Sequence, residues 1–593
     1  MITPLLLVLV GWCAPPGEVA LEPATVARCG EALGAGGQAS DPREDYDVLA
    51  YDLDFLVLPE TRRLEGRVGV RGRALVDLGQ VQLDMEAGLT ALAVQTGGTG
   101  NAGEAGASGT EQELVFEQLG DALLVELPAE LKAGEDFEFS VRYRGSPRAK
   151  GSFDGFHWRE TAAGEPFIGT SCQGTGSHAW WPGKASYFHP EDKPERISVD
   201  ISVPAQLYGV SNGRLVETLE GDAGWPDWIT REAAESPAGA AFKTYRWRHD
   251  YPLETYSVTL NVAPYVVVLD SLELPGCPAP VPFNYYVLPE SAEKAAVQFA
   301  QVPELARVFS RAFGPFPFPD SKLAFVETSF WGMEHSTAIA YGSSFPAWCA
   351  AEGVADPYAR RNGDFDYILV HEFAHEWWGN AVSADHWGNF WIHEGFATYA
   401  EGVYLEFTAD RARADAFFAR TMGRIPRSGS LYRGEAPTSG EAYSGLIYYK
   451  GAAVLHHARH CLDDDDIWWA TLREFYLAQR YGNVGSAEFE ALLEKNSGRP
   501  WKRFFAQWVY GEGTPRLSGS LRAAGTKLAI EITVEGEFHV PLDISWTEGG
   551  EERSARIELG PGDNILALPC EQQPREISVE HLNRIPGRHR IDY

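Results

Sequence analysis

Two histidines separated by three residues mark the part of the sequence best suited to chemistry. They belong to the segment HEFAH at residues 371–375, and the apolar run YILV before it predicts a buried helix. At positions i and i+4 of a helix, the imidazoles of His371 and His375 point from one face and can bind one metal ion. Glu372 lies off that face, where its carboxylate can reach a water held by the metal. The segment predicts a catalytic zinc site; the alternative is a pair of partly exposed surface histidines.

A third ligand is expected on another element, because catalytic zinc has three protein ligands and an open fourth position. Glu394, in the segment WIHEGFA at residues 391–397, is separated from His375 by 18 residues. That length allows the first helix to end near residues 379–380 and an adjacent helix to begin, so we predict Glu394 as the third ligand. His393 is the rival candidate, but side chains at successive helix positions point about 100° apart and only one can face the metal. For His393 we expect either a packing role or a role in supporting the ligands without binding the metal itself.

The combination of HExxH, 18 residues and Glu resembles the zinc aminopeptidases of the aminopeptidase N and leukotriene hydrolase family, which are gluzincins. This family carries an exopeptidase motif, G-x-M-E-N, before the metal-binding helix. The segment WGMEH at residues 331–335 is similar to that motif, although Trp331 and His335 depart from its first and last letters. The resemblance implies that this segment, including Gly332 and Met333, belongs to the substrate-binding site.

Three further side chains are candidates for binding and catalysis. An enzyme that removes one residue from an N-terminus needs a fixed anion near the zinc to bind the ammonium group, and Glu334 supplies it. The alternative is a solvated surface glutamate. The resemblance implies that Gln173 helps to bind the free N-terminus, with a structural role in a loop as the alternative. It also implies that Tyr448, which stands before Tyr449 and the Lys-Gly pair at residues 450–451, stabilises the oxyanion.

The rest of the sequence predicts three domains that position these residues. In residues 40–263, apolar and polar residues alternate with a period of two, and Gly and Pro are frequent between these runs. This pattern predicts an antiparallel β domain. Residues 264–512 contain mainly helical runs with a small sheet at their front, and residues 513–593 predict a small β-sandwich. The expected fold class is therefore multidomain α+β. The resemblance implies a saddle-like N-terminal β domain over a thermolysin-like, mainly helical catalytic domain.

Apolar periodicity in the middle domain predicts one strand and several helices. The strand is expected at residues 322–328. The helices are expected at residues 291–313, 365–382, 392–407, 444–462, 467–481 and 486–495.

The N-terminus is similar to a signal peptide. It reads MITPLLLVLV and is followed by Gly11, Trp12 and Cys13. We predict a signal peptide at residues 1–20 and an extracytoplasmic protein that is secreted, periplasmic or lipid-anchored. The segment lacks Lys and Arg, and Trp12 is a poor residue before a lipidated cysteine, so a mis-assigned start or an N-terminal strand of a cytoplasmic protein is the alternative. No run approaches the roughly 18 apolar residues of a membrane span, so no transmembrane helix is expected in the mature chain.

Composition and charge narrow the class of protein. With 593 residues, 44% of them hydrophobic, the chain is globular and long enough for several domains. The 83 Asp and Glu against 50 Lys and Arg give a net charge of −33, which disfavours binding to nucleic acid. The seven cysteines form no CxxC pair, so a cysteine-held metal is not expected. Disulfides are permitted in an exported protein, and the sequence does not assign them.

These observations predict a zinc-dependent aminopeptidase that uses one Zn²⁺ ion and a metal-activated water to hydrolyse the N-terminal residue from peptides. Its partners are then peptides with a free N-terminus, and the sequence leaves the oligomeric state open. One alternative is a zinc endopeptidase of the thermolysin-like group, which has no reason to keep Glu334. The others are an epoxide hydrolase, as in one branch of the family, and an inactive peptide-binding relative.

Overall fold

The computed structural model describes residues 41–97, 112–184, 192–235, 239–342, 344–356, 365–434 and 438–593. The predicted signal peptide at residues 1–20, together with Cys13, lies outside these ranges. Among the described residues, no helix is both long enough and apolar enough to cross a membrane.

The N-terminal domain is built from strands. They are β1 (Tyr46–Leu58), β2 (Arg63–Ala74), β3 (Leu78–Asp84), β4 (Leu89–Thr96), β5 (Phe116–Leu119), β6 (Ala122–Leu131), β7 (Asp136–Gly145), β8 (Gly155–Glu160), β9 (Pro166–Ser171), β10 (Arg196–Pro204), β11 (Tyr208–Val210), β12 (Arg214–Leu219), β13 (Phe242–His249) and β14 (Asn261–Ala263).

These strands form three sheets, in the orders β12-β13-β10-β1-β2-β7-β4, β11-β14-β9-β8 and β3-β6-β5. The neighbours are antiparallel except for β1 and β10, which pair in parallel. In the core of the N-terminal domain, buried aromatic residues of β1 pack against two tryptophans from the loop after β9. Tyr51 lies against Trp181 and Phe55 against Trp180, each with ring centroids 4.8 Å apart. Burial of such large aromatic rings anchors the sheet to the loop that follows β9.

A mixed sheet opens the middle domain. It pairs β15 (Val266–Leu272), β16 (Val281–Val287), β17 (Leu323–Thr328) and β18 (Ile339–Gly342) in that order. The connection from β17 to β18 carries the WGMEH segment. Two short strands, β19 (Val382–Ala384) and β20 (Gly482–Val484), form a separate parallel pair.

Helices make up the rest of this domain. They are α1 (Ala292–Phe299), α2 (Val302–Phe313), α3 (Pro346–Glu352), α4 (Tyr367–Ala374), α5 (Trp391–Thr408), α6 (Arg411–Met422), α7 (Ser439–Ala442), α8 (Gly451–Leu462), α9 (Asp465–Gln479), α10 (Ser486–Ser497) and α11 (Lys502–Trp508).

Three predicted helices differ from the observed ones. The helix expected at residues 291–313 is two helices, α1 and α2, with Pro303 in the first turn of the second. The helix expected at residues 365–382 ends at Ala374. The helix expected at residues 444–462 begins with the π-helical turn Leu446–Lys450 before α8 continues it.

The C-terminal domain returns to strands. They are β21 (Arg516–Ala523), β22 (Lys527–Glu535), β23 (Val540–Glu548), β24 (Glu551–Leu559), β25 (Gly562–Pro569), β26 (Arg575–Glu580) and β27 (Arg588–Asp592).

Two sheets, in the orders β25-β22-β21-β27 and β24-β23-β26, form this domain. Leu528, Ile530, Ile532 and Val534 alternate along β22, and all four are buried in the core shared with the helical domain. The predicted multidomain α+β fold class is confirmed.

Candidate active site

The HEFAH motif lies on α4 and at its end. The side chain of Asp366 caps this helix by accepting a hydrogen bond from the Leu369 amide at 3.3 Å. His371 and Glu372 lie in the last turns, and His375 is the residue that follows the helix; all three are buried. The apolar run before the motif buries α4, so the ligands are carried by a helix that the core holds firmly.

The two imidazoles meet Glu394, from the first turn of α5. The Nε2 atoms of His371 and His375 lie 3.2 and 3.5 Å from Oε2 of Glu394. Ligands about 2.0 to 2.2 Å from a tetrahedral zinc are separated by roughly 3.3 to 3.6 Å, so the three residues fit this ion. Burial alone would raise the pKa of Glu394, but the two imidazoles hold it well below its usual value.

The other nitrogen of each imidazole has its own hydrogen-bond partner. Nδ1 of His371 lies 3.0 Å from Oε1 of Glu401, and Nδ1 of His375 lies 2.8 Å from the carbonyl oxygen of Trp378. These partners set the ring orientation and leave Nε2 of each ring for the metal. Glu401 was not predicted as a site residue from the sequence. A signal was available in the spacing, because Glu401 follows Glu394 by seven positions on the same helix and therefore lies on the same face.

Glu372 faces the WGMEH segment. A Cβ atom on Gly332 would lie 2.4 Å from Oε1 of Glu372, so the glycine backbone packs directly on this carboxylate. Burial raises the pKa of Glu372 to about 8, against the attraction of the two imidazoles. The carboxylate also lies next to His375 and Glu334, where it can exchange a proton with a water molecule bound at the cluster.

Gln173 contacts both the metal cluster and Glu334, the predicted anchor for the substrate's ammonium group. It comes from the loop after β9 in the N-terminal domain. Its Nε2 donates to Oε1 of Glu334 and, at 3.2 Å, to Oε1 of Glu394. Burial raises the pKa of Glu334. A second set of possible ligands, formed by Glu334, Glu372 and His375, also has atoms within 4.8 Å of one another. The structure thus brings the predicted binding and metal residues into one cluster.

The turn after α4 holds the backbone of Glu334 through a hydrogen bond from Asn380. Gly379 has a φ of 127°, which favours glycine, and the turn places Asn380 so that its Nδ2 donates to the carbonyl oxygen of Glu334 at 2.9 Å. Lys193, from the N-terminal domain, donates to the Asn380 carbonyl oxygen at 3.0 Å and to Ser383 Oγ at 2.6 Å. Both domains therefore hold the anchor in place.

Tyr448 lies in the π-helical turn before α8. Its ring stacks on that of His371 with centroids 6.2 Å apart and an interplanar angle of 22°. Burial, with the nearby carboxylates Glu394 and Glu334, raises its pKa well above the usual value, so the hydroxyl keeps its proton. Tyr449 instead faces the guanidinium group of Arg424, which lies 5.7 Å from its ring centroid.

Three other residues named in the sequence analysis are buried beside the site. Met333 packs with Phe330 and Ala340. His335 is fully buried, and burial lowers its pKa to about 3, so the ring is neutral. His393 packs on Phe390, with ring centroids 4.1 Å apart, and belongs to neither set of possible metal ligands among the described residues.

The model of the peptidase family M1 domain matches residues 302–508, which contain the metal cluster, Glu372, Glu334 and Tyr448. Residues 302–508 are therefore similar to a peptidase family M1 domain, and the predicted resemblance to the zinc metallopeptidases of the aminopeptidase N type is confirmed.

Particular relatives agree with this assignment. Probable aminopeptidase 2 from Sulfurisphaera tokodaii is 25% identical over 299 residues, which cover 47% of this chain and 35% of that protein. Aminopeptidase A from Gloydius brevicauda is 19% identical over 495 residues, which cover 79% of this chain and 48% of that protein. The chain therefore matches between a third and a half of the length of these two relatives.

Solved structures show the same fold. The M1 zinc metallopeptidase from Deinococcus radiodurans superposes with a TM-score of 0.61 at 22% identity, covering 79% of this chain and 94% of that chain. A mutant of that protein bound to a Tyr-Ser-Ala substrate superposes equally well, at 21% identity.

Proposed function

We propose that this protein is a zinc-dependent aminopeptidase that hydrolyses the N-terminal residue of peptides. One observation carries the proposal: Gln173 donates to both Glu334 and Glu394, so a buried carboxylate is held next to the metal cluster. A carboxylate at this place binds the α-ammonium group of a peptide and sets which bond reaches the metal. The names of the relatives support the same activity.

A single zinc ion is proposed, because His375 belongs to both candidate ligand sets and can serve one metal with its Nε2. His371, His375 and Glu394 hold it. When bound, zinc supplies a Lewis acid and lowers the pKa of a coordinated water toward neutrality.

The side chains around the metal divide the remaining work. Glu372 accepts a proton from the attacking water on its carboxylate and returns it to the nitrogen of the leaving amine. The hydroxyl of Tyr448 donates to the oxyanion that develops on the former carbonyl oxygen. Glu334 and Gln173 bind the free N-terminus and fix the position of the first peptide bond.

An endopeptidase is the nearest alternative. Its substrates extend on both sides of the scissile bond, so a buried carboxylate beside the metal would face a neutral backbone and gain nothing. Glu334 is 2% exposed and faces the cluster, which favours the aminopeptidase.

The test compares aminoacyl fluorogenic amides with their N-acetylated counterparts, with and without a metal chelator. We expect hydrolysis of the free substrates only, loss of activity with chelator, and recovery with added zinc. The variant Glu372→Gln should retain zinc and lose activity by several orders of magnitude. Equal cleavage of acetylated substrates would reject the aminopeptidase, and unchanged activity of Glu372→Gln would reject an enzyme that uses this site.

Export from the cytoplasm remains a proposal that rests on the apolar run at residues 1–10, within the predicted signal peptide at residues 1–20. Expression of the full chain with a C-terminal tag, followed by cell fractionation and N-terminal sequencing, tests it. A processed N-terminus outside the cytoplasm supports export, and an intact cytoplasmic chain contradicts it.

A further inference from the structure

Tyr256 reaches the anchor from the N-terminal domain. It lies in the short 3₁₀ turn Thr255–Ser257 before β14, is 1% exposed, and donates from its hydroxyl to Oε1 of Glu334 at 3.0 Å. Gln173 donates to the same oxygen. Two neutral donors of the N-terminal domain therefore hold one carboxylate oxygen of a residue that belongs to the middle domain.

His393 fixes the direction of this hydrogen bond. The Ala384 amide donates to Nε2 of His393 at 2.9 Å, so that nitrogen carries no proton and a neutral ring carries its proton on Nδ1. Nδ1 lies 3.5 Å from the hydroxyl oxygen of Tyr256, at the outer limit of a hydrogen bond. The Nδ1 proton then points to the Tyr256 oxygen, and the proton of Tyr256 is directed to Glu334.

We propose that Tyr256 is a positioning residue for the recognition of free N-termini, with His393 orienting its hydroxyl. This inference rests on the proposed aminopeptidase function and adds a residue to it. With Oε1 occupied by Tyr256 and Gln173, the carboxylate of Glu334 cannot rotate freely, and Oε2 is the oxygen that receives the ammonium group. A charge-assisted hydrogen bond depends on this alignment.

Removal of the Tyr256 hydroxyl leaves Gln173 as the donor to Oε1 and allows the carboxylate to turn. Binding of the ammonium group should weaken, while the metal, Glu372 and Tyr448 are untouched. The effect should therefore fall on KM for free substrates more than on kcat.

The experiment compares Tyr256→Phe with Tyr265→Phe in the full chain. Tyr265 is a matched control, because it is also buried and its hydroxyl donates to the Glu327 carbonyl oxygen at 2.7 Å, in the neighbouring sheet. For Tyr256→Phe we expect KM of an aminoacyl amide to rise about tenfold with kcat within about threefold. The control should retain both constants of the wild type.

Two inhibitors separate positioning from general structural damage. L-leucine hydroxamate has an amine and a metal-binding group, whereas acetohydroxamate has the metal-binding group alone. Tyr256→Phe should weaken inhibition by L-leucine hydroxamate about tenfold and leave inhibition by acetohydroxamate unchanged. Equal weakening of both inhibitors, or constants equal to those of Tyr265→Phe, would overturn the inference. Cleavage of N-acetylated substrates by the wild type would instead overturn the proposed function itself.

Discussion

The backbones of Gly395 and Gly451 are in direct contact. A Cβ atom on Gly451 would lie 2.7 Å from the Cα atom of Gly395, and one on Gly395 would lie 3.0 Å from the Ile447 carbonyl oxygen. Gly395 follows Glu394 in α5, and Gly451 begins α8 just after the turn with Tyr448. Because side chains are absent at the crossing, the two helices approach closely enough to place the phenol beside the metal ligand.

Replacement of Gly451 by Ala should separate these helices. The added methyl group meets backbone atoms that cannot rotate away, so overpacking should cost about 1 to 3 kcal/mol of stability. Tyr448 should move from the metal cluster, and kcat should fall by about 10²-fold with little change in KM. Gly79→Ala is the control, because a Cβ atom at Gly79 meets nothing within 4 Å. A Gly451→Ala enzyme with wild-type kcat would show that the contact does not position Tyr448.

Replacement of Gly332 by Ala should act on the proton-transferring carboxylate. The new Cβ atom would lie 2.4 Å from Oε1 of Glu372, and the flexible side chain of Glu372 would have to turn aside. The protein should therefore fold and retain zinc, while kcat falls by roughly 10²-fold. Zinc content measured by atomic absorption, together with steady-state kinetics, checks this. Loss of the metal along with activity would contradict it.

Tyr448→Phe tests the oxyanion donor. Loss of one preorganised donor typically lowers kcat by about 10²- to 10³-fold, and KM should change little because the donor acts on charge that develops during reaction. Tyr449→Phe is a matched control, since its ring faces Arg424. Similar kcat values for the two variants would exclude the proposed role of Tyr448.

Glu401 should tune zinc affinity through His371. The variant Glu401→Leu leaves the Nδ1 proton of His371 without an acceptor in a buried site, and zinc affinity should fall by roughly 10- to 100-fold. Glu401→Gln keeps an acceptor oxygen and should lose less. Competition with a fluorescent zinc chelator measures both affinities, and equal affinities for Leu, Gln and wild type would refute the role.

The metal cluster could be predicted from the sequence because its ligands are local to two helix ends. The position at which α4 ends could not be predicted in the same way. The chain leaves α4 at Ala374, yet Trp377, Trp378 and Val382 remain buried in the turn and in β19. Apolar residues therefore continue past the end of the helix, and periodicity extends the prediction to residue 382.

Contacts between the domains could not be predicted from the sequence either. Tyr256 precedes Glu334 by 78 positions and belongs to another domain, so only the fold brings its hydroxyl to the carboxylate. Gln173 and Lys193 reach the site in the same way. For Gln173 the resemblance to a family supplied what spacing could not, whereas nothing in the sequence indicated Tyr256 or Lys193.

Helix α8 presents buried histidines to the C-terminal domain and to α6. His456 lies 3.2 Å from Oδ1 of Asp415, and His460 lies 3.7 Å from Oδ2 of Asp543. Burial lowers the pKa of His456 to about 4 and that of His460 to about 3, and it also lowers the pKa of His457. The other charged or titratable neighbours include Arg411, Arg556, Arg584, Cys461, His581 and His589.

These lowered pKa values predict a loss of stability in mild acid. Above the ordinary histidine pKa of 6.5 both folded and unfolded chains carry neutral rings, so their contribution is fully present. As the pH falls from 6.5 toward about 4, His456 gains a proton in the unfolded chain but not in the folded one, which lowers the unfolding free energy by about 1.4 kcal/mol per pH unit. His457 and His460 act in the same direction. Urea unfolding over this range should show a smaller pH dependence for His456→Gln than for the wild type. Equal slopes for His456→Gln and the wild type would show that His456 is not responsible.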